Sequence, residues 1–312
     1  MPVPSLPFVE TFPSWLPELL EESSIFCHEC VFQGTLIDRT RSTTRSRVRE
    51  RGYDLLMTHR IGVIGVGIIG EPVVRGLVRA HGGGVEVHLS PRNAVRAAGL
   101  AAEFPNVQVE ISNQAVLDSS DWVVIALLGP ATEGIVRALT FRHDHKVVSL
   151  VGAADLASLR EWTGLEAITR MIPLPYVAHG TGPVATYPLT PELEETFGGL
   201  GTLIAASDEV DLDTMATITS TQSAFFAVLG EVIRWGARHG LPAETAQGFA
   251  IPFFKALLAK AEMLDPPELV EHWREMTPDG FNHTVMIRLT EAGAVGAWSS
   301  AMDAVQARPR ST

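Results

Sequence analysis

From Arg60 onward, short apolar runs alternate with amphipathic stretches. Ile61–Val66 is almost wholly apolar, the pattern of a strand covered on both faces. Ile69–His81 follows with apolar positions at helical spacing. Further strands are predicted at Val85–Leu89, Val107–Glu110, Trp122–Leu128, Lys146–Val151, Ala167–Met171 and Gly201–Ala205. Between them Asn93–Glu103, Ala131–Leu139 and Ala154–Trp162 read as helices. Repeated strand–helix pairs predict βαβ units, and so an α/β Rossmann fold: a doubly wound, mostly parallel sheet.

After Ser207 the strands stop. Asp211–His239 is predicted as one long helix, with Ala224, Phe225, Val228, Leu229 and Val232 on one apolar face. Gly240-Leu241-Pro242 ends it. Glu244–Met263, Pro267–Glu275 and Ile287–Val305 complete an all-α region. The expected organisation is an extension at 1–56, a Rossmann domain at 57–206, a helical domain at 207–306 and a tail at 307–312. The helices are more apolar than one small domain needs, which suggests a dimer interface.

The first 56 residues differ in kind. Prolines at 2, 4, 7, 13 and 17 lead into an arginine-rich polar stretch at 39–51. Such a segment has little apolar surface to bury and is expected to be disordered. Met57 lies just before the first strand and is the expected natural start. Cys27 and Cys30 stand at zinc-ligand spacing, but a closed site needs four ligands and no second pair exists, so no metal site is expected. Acidic neighbours make the arginine cluster a solvated linker in this reading.

Composition narrows the function. The 312 residues are 46% hydrophobic and 19% charged, with a formal net charge of -12. That balance argues against nucleic acid as the main ligand, because phosphate backbones need clustered Lys and Arg. No apolar run is long enough to span a bilayer, no secretory signal is evident, and cysteine is confined to two early positions. A cytoplasmic protein without membrane partners, acting on a small molecule, is expected.

The most informative motif is Gly65-Val66-Gly67-Ile68-Ile69-Gly70, a G-x-G-x-x-G between an apolar strand and an amphipathic helix. In that context Gly65 permits the tight turn, Gly67 lets backbone approach a pyrophosphate, and Gly70 allows close helix–strand packing. The helix N-terminus supplies N–H groups and positive potential for the phosphates. An NAD site would place an acid at the end of the second strand. Here the chain reads Ser90-Pro91-Arg92-Asn93. A guanidinium suits a phosphate, so NADP(H) is expected over NAD(H).

These segments resemble the pyrroline-5-carboxylate reductase family, from about Met57 to about Ala307. Ala126-Leu127-Leu128-Gly129-Pro130 is similar to that family's Ala-Val-Lys-Pro segment, with Gly129 in place of Lys. Arg170-Met171-Ile172-Pro173 and Gly180-Thr181-Gly182 sit where the family has Arg-x-Met-Pro and Gly-x-Gly. Thr277-Pro278-Asp279-Gly280 sits at its Ser/Thr-Pro-Gly-Gly loop. The resemblance implies NADPH-dependent imine reduction, with pyrroline-5-carboxylate as the leading candidate substrate, and dimerisation through C-terminal helices. It assigns the cofactor to Gly65–Gly70, Ser90, Arg92, Asn93, Ala126, Leu127, Leu128 and Pro130.

The substrate half departs from the pattern. Leu174 replaces the family's Asn. Ser220-Thr221-Gln222-Ser223-Ala224 replaces Gly-Ser-Gly-Pro-Ala, and Gly280-Phe281-Asn282 replaces Gly-Thr-Thr. The candidate catalytic residues on these segments are Ser220, Thr221, Thr277 and Asn282. An iminium already carries positive charge and needs no strong acid, whereas a carbonyl substrate needs a proton donor. His179 and His283 are the possible donors in the second case. β-Hydroxyacid dehydrogenases share the architecture but use a lysine in a Gly-x-x-x-Lys-x-x-x-Asn helix. None of Lys146, Lys255 and Lys260 has that surround. An oxidoreductase acting on another small substrate and a dinucleotide-binding protein without turnover remain the alternatives.

Overall fold

The computed structural model describes residues 59–275 and 277–307. The expectations for the extension, including Cys27, Cys30, the arginine cluster and Met57, lie outside the described residues. Eight strands form one sheet: β1 (His59–Ile64), β2 (Val85–Leu89), β3 (Val107–Val109), β4 (Trp122–Ile125), β5 (Lys146–Ser149), β6 (Ile168–Ile172), β7 (Pro183–Tyr187) and β8 (Thr202–Ala205). Their order is β3-β2-β1-β4-β5-β6-β7-β8. All neighbours run parallel except β6 and β7, where Arg170 pairs with Tyr187 and Ile172 with Ala185 in antiparallel register. The sheet order reverses between β1 and β4, which opens a crevice at the carboxyl ends of those strands.

Alternate residues of the central strands enter opposite cores, as the two-residue strand period requires. Ile61, Val63, Trp122, Val124 and Val148 join one apolar cluster. Ile64, Val123, Ile125 and Val147 join the other. Helix α1 (Gly70–His81) covers the first face with Val73, Val74 and Leu77, all essentially inaccessible. Each such side chain contributes about 1.5–3 kcal/mol by leaving water. The remaining helices of the sheet region are α2 (Ala94–Glu103), α3 (Asn113–Asp118), α4 (Thr132–Arg137), α5 (Leu156–Thr163) and α6 (Pro191–Phe197).

The helical region comprises α7 (Glu209–Thr219), α8 (Gln222–Arg238), α9 (Ala243–Ala261), α10 (Pro266–Glu271), α11 (Phe281–Glu291) and α12 (Ala294–Gln306). Two expectations are corrected here. The single helix expected over Asp211–His239 is two, broken at Ser220–Thr221. Both hydroxyls there donate back into α7, to Thr217 O at 2.6 Å and Ile218 O at 2.7 Å. Such local bonds compete with the helical ladder. The helix expected over Ile287–Val305 is also two, because Gly293 takes the left-handed conformation at φ 71° and separates α11 from α12. Strand β7 and helices α3 and α6 were not anticipated. Among the described residues no helix is long and apolar enough to cross a membrane.

Candidate functional site

The glycine loop is held by contacts only glycine allows. Gly65 has φ 103°, and a Cβ there would lie 2.4 Å from Ala126 O. A Cβ on Gly70 would lie 2.0 Å from Gly65 O. A Cβ on Gly67 would meet nothing within 4 Å, so its open side faces the crevice. Gly65 and Gly70 therefore close the turn against β4, while Gly67 leaves room for an incoming group.

Two polar side chains at the end of β2 hold this loop. Ser90 Oγ accepts the Gly65 N–H at 2.9 Å, and Asn93 Nδ2 donates to Val66 O at 3.0 Å. Ser90 is buried. Its hydroxyl fixes the loop of the expected cofactor site. Arg92 is exposed and carries no ion pair or hydrogen bond to another described residue. No carboxylate lies among the described residues lining the cleft with it. Glu110, at the end of β3, is engaged with His88 Nδ1 at 2.8 Å. Glu71, in the first turn of α1, is held by Arg75 at 3.2 Å and Arg96 at 2.9 Å. Those arginines offset the one carboxylate that would oppose a phosphate at this helix start.

The resulting cleft measures about 590 Å³ and is lined by Gly65, Val66, Gly67, Arg92, Asn93, Ala94, Val95, Ala126, Leu127 and Leu128. Ile68, Val95 and Leu128 stand 74%, 85% and 95% exposed around the loops that form it. Large apolar side chains left in water around a concave polar loop mark a ligand surface. Beyond Leu128, Gly129 and Pro130 line a small cavity with Ala153 and Ala154.

Arg170 is a feature the sequence pattern did not assign. It is 1% exposed on β6, and its guanidinium donates to Glu209 Oε1 at 2.7 Å and Asp213 Oδ1 at 3.0 Å on α7. Glu209 also accepts the Leu156 N–H at 2.9 Å at the start of α5. The sheet, α5 and the first helix of the helical region are tied together at this point. A buried arginine can be recognised in sequence only when its partners are known, and these lie about forty residues further on.

The candidate catalytic residues divide into two groups. Ser220 and Thr221 line a cavity of about 320 Å³ with Ala224, Ala294, Ala297, Trp298, Ala301, Met302 and Val305. Thr277 and Asn282 are exposed in and after the loop that precedes α11, and neither lines that cavity. Asp279 in this loop adopts φ 59°, and its N–H donates to His283 Nδ1 at 3.2 Å. His283 is thereby a local cap. His179 precedes Gly180, whose backbone packs on Arg79 in the last turn of α1, the end remote from the glycine loop. Neither histidine lines the dinucleotide cleft. Outside both regions, Glu268, His272 and Glu275 bring three potential ligand atoms within 4.8 Å on a largely exposed surface. That grouping was not anticipated either.

A glycine-loop crevice on a mostly parallel sheet, with a helical region following, is the architecture of a dinucleotide-binding protein. Residues 60–153 match the family described as NADP oxidoreductase, coenzyme F420-dependent. Along most of its length the chain is similar to a curated pyrroline-5-carboxylate reductase from Corynebacterium melassecola. The two are 26% identical over 259 residues, which is 78% of this chain and 95% of that one. A solved 1-pyrroline-5-carboxylate reductase from Streptococcus pyogenes superposes with a TM-score of 0.70 at 18% identity, covering 81% of this chain and 98% of the other. An NADP-bound pyrroline carboxylate reductase from Plasmodium falciparum gives 0.68 at 15% identity, with the same coverage. The structural likenesses establish the fold. The sequence match to the curated reductase runs along most of the chain at low identity.

Proposed function

We propose that this protein is an NADPH-dependent reductase of a cyclic imine. The observation that carries the reading is the cleft: the turn closed by Gly65 and Gly70 leaves Gly67 open, beside an Arg92 bonded to no other described residue and with no carboxylate at the end of β2. The free N–H groups at the start of α1 would hold the pyrophosphate. Arg92 would hold the 2′-phosphate through charge-assisted hydrogen bonds. Ala126, Leu127 and Leu128 form the apolar wall beside the loop. When bound, the cofactor supplies the hydride, and the chain's own task is to position the acceptor and keep water out.

An imine fits better than a carbonyl. Among the described residues lining the cleft there is no Lys, His, Tyr, Asp or Glu to protonate a developing alkoxide. An iminium needs no such group. Pyrroline-5-carboxylate, the substrate in the names of the relatives, is the natural first compound.

The dimer is part of the same proposal. Phe225, Phe226, Val228, Val232 and Trp235 on α8, and Phe249, Phe253 and Leu257 on α9, are each 40–74% exposed in the single chain. An apolar surface of that extent fits an obligate interface between two copies. Light scattering should give twice the chain mass, and Phe253→Glu should give the monomer.

The direct test is loss of NADPH absorbance with purified protein and a cyclic imine, with NADH in parallel. Consumption of NADPH supports the reading. NADPH binding without turnover of any imine or carbonyl would favour a dinucleotide-binding protein that has lost catalysis.

A further inference from the structure

Resting on the dinucleotide-binding part of the reading above, we propose that Asn93 is a positioning residue for the cofactor's pyrophosphate. It acts through the glycine loop and does not read the 2′-phosphate beside Arg92.

Asn93 stands at the N-cap of α2. That position favours Asn because its side chain can accept an N–H of the first turn. Ser112, Asp155, Thr190, Asp208 and Asp265 do this at the starts of α3, α5, α6, α7 and α10. Asn93 does not. Its side chain makes no bond to α2, and its Nδ2 donates to Val66 O in the glycine loop at 3.0 Å. The amide forgoes a local bond for a distant one. Local rules broken in this way are expected at functional sites.

The bond fixes one peptide plane. Across a trans peptide the C=O and the following N–H point in opposite directions. With Val66 O turned to Asn93, the Gly67 N–H is turned away from it. Gly67 O in turn accepts the Glu71 N–H at 3.2 Å, so the residue is gripped from both sides. Its own N–H meets no acceptor among the described residues, and neither do those of Ile68 and Ile69. Gly65 differs, because its N–H is spent on Ser90 Oγ at 2.9 Å. Ser90 thus closes the start of the loop, and Asn93 orients the free donors that follow.

Gly67 and Asn93 both line the cleft, and a Cβ on Gly67 would meet nothing within 4 Å. A diphosphate arriving there meets N–H groups already turned, and the cost of ordering them is not charged to binding. Arg92 and Asn93 are neighbours that address different parts of the ligand. Arg92, bonded to no other described residue, is left for the phosphate that only NADPH carries. Asn93 serves the pyrophosphate that NADPH and NADH share.

The test is Asn93→Ser in the full chain, with Arg92→Ala beside it. Serine is as good a cap as asparagine, so α2 keeps its start, but the hydroxyl ends one bond short of the amide that reaches Val66 O. NADPH and NADH are titrated by calorimetry, and Tm is measured on the free protein. Asn93→Ser should weaken both cofactors by the same factor, about three- to tenfold, the scale of one hydrogen bond. Its Tm should stay within about 2 °C of the parent. Arg92→Ala should weaken NADPH alone. In ¹⁵N-glycine spectra of the free protein, the Gly67 amide should shift in Asn93→Ser and stay in place in Arg92→Ala.

Weakening of NADPH alone makes Asn93 a 2′-phosphate contact and overturns the proposal. Unchanged affinity for both cofactors, or an unmoved Gly67 amide, overturns it too. A fall in Tm of several degrees alongside weaker binding makes the role structural and has the same consequence. In each of these cases the dinucleotide reading stands, because the parent chain still binds NADPH. A parent chain that binds neither cofactor overturns both.

Discussion

Replacing Arg92 by Ala separates a cofactor contact from a structural one. In the free protein Arg92 is exposed and bonded to no other described residue, so folding stability should change by less than about 0.5 kcal/mol. With NADPH bound, the guanidinium would make charge-assisted hydrogen bonds to the 2′-phosphate. Hydrogen bonds to a charged group contribute about 1.5–3 kcal/mol, which is roughly 10–150-fold in Kd. Exposure places the loss near the lower end, because ions screen a surface charge. NADH lacks the phosphate, and its affinity should stay within about twofold. Titration of both cofactors by nucleotide fluorescence at two salt concentrations reads all of this. The NADPH loss should shrink as salt rises. Equal weakening of both cofactors, or no weakening of NADPH, would refute the assignment of Arg92.

Three further perturbations follow from the geometry. Gly70→Ala puts a Cβ 2.0 Å from Gly65 O and should cost at least about 1–3 kcal/mol, read as a lower Tm. Gly67→Ala meets open space, so it should leave Tm unchanged while weakening NADPH binding; a Tm loss matching that of Gly70→Ala would contradict the loop's division of labour. Arg170→Met leaves Glu209 and Asp213 without their guanidinium and should destabilise the fold by about 3–5 kcal/mol, measurable by urea unfolding.

His145 provides the pH test. Its Nδ1 accepts the Arg142 N–H at 3.0 Å and its Nε2–H donates to Leu117 O at 3.1 Å, a pattern only the neutral ring satisfies. Burial first, and the Arg142 charge second, hold its pKa below the ordinary value of 6.5. The unfolded chain therefore binds a proton that the folded one resists. The stability His145 contributes is whole above pH 6.5 and declines as pH falls from there through the lowered folded value. His145→Gln should flatten that decline in denaturation curves taken between pH 7 and 5.

Strands β1, β4 and β5 were legible because strands buried on both faces become nearly continuous apolar runs bounded by helices. Strand β7 was hidden. It opens on Pro183 after Gly180-Thr181-Gly182, a sequence that reads as a loop, and it runs against its neighbour β6. Helices α3 and α6 are short, and only their caps announce them. Ser112 accepts from Ala115 N, and Thr190, followed by Pro191, accepts from Leu193 N; both patterns were readable.

The break at Ser220–Thr221 has no glycine or proline to mark it. Hydrophobic periodicity continues across it, so one long helix was the natural expectation. In the site, the glycine loop could be placed from sequence because local turn geometry demands those residues. The engaged hydroxyls of Ser220 and Thr221, the loop-fixing role of Ser90 and the Arg170 ion pairs could not. Each depends on a partner brought close only by the fold, or on a hydrogen-bond direction that residue identity leaves open.

The most direct test of the central claim is the rate at which the purified chain consumes NADPH with a small cyclic imine, beside NADH at the same concentration. Consumption that is faster with NADPH by at least tenfold is the predicted result. Binding of NADPH with no consumption of it by any cyclic imine would contradict the account.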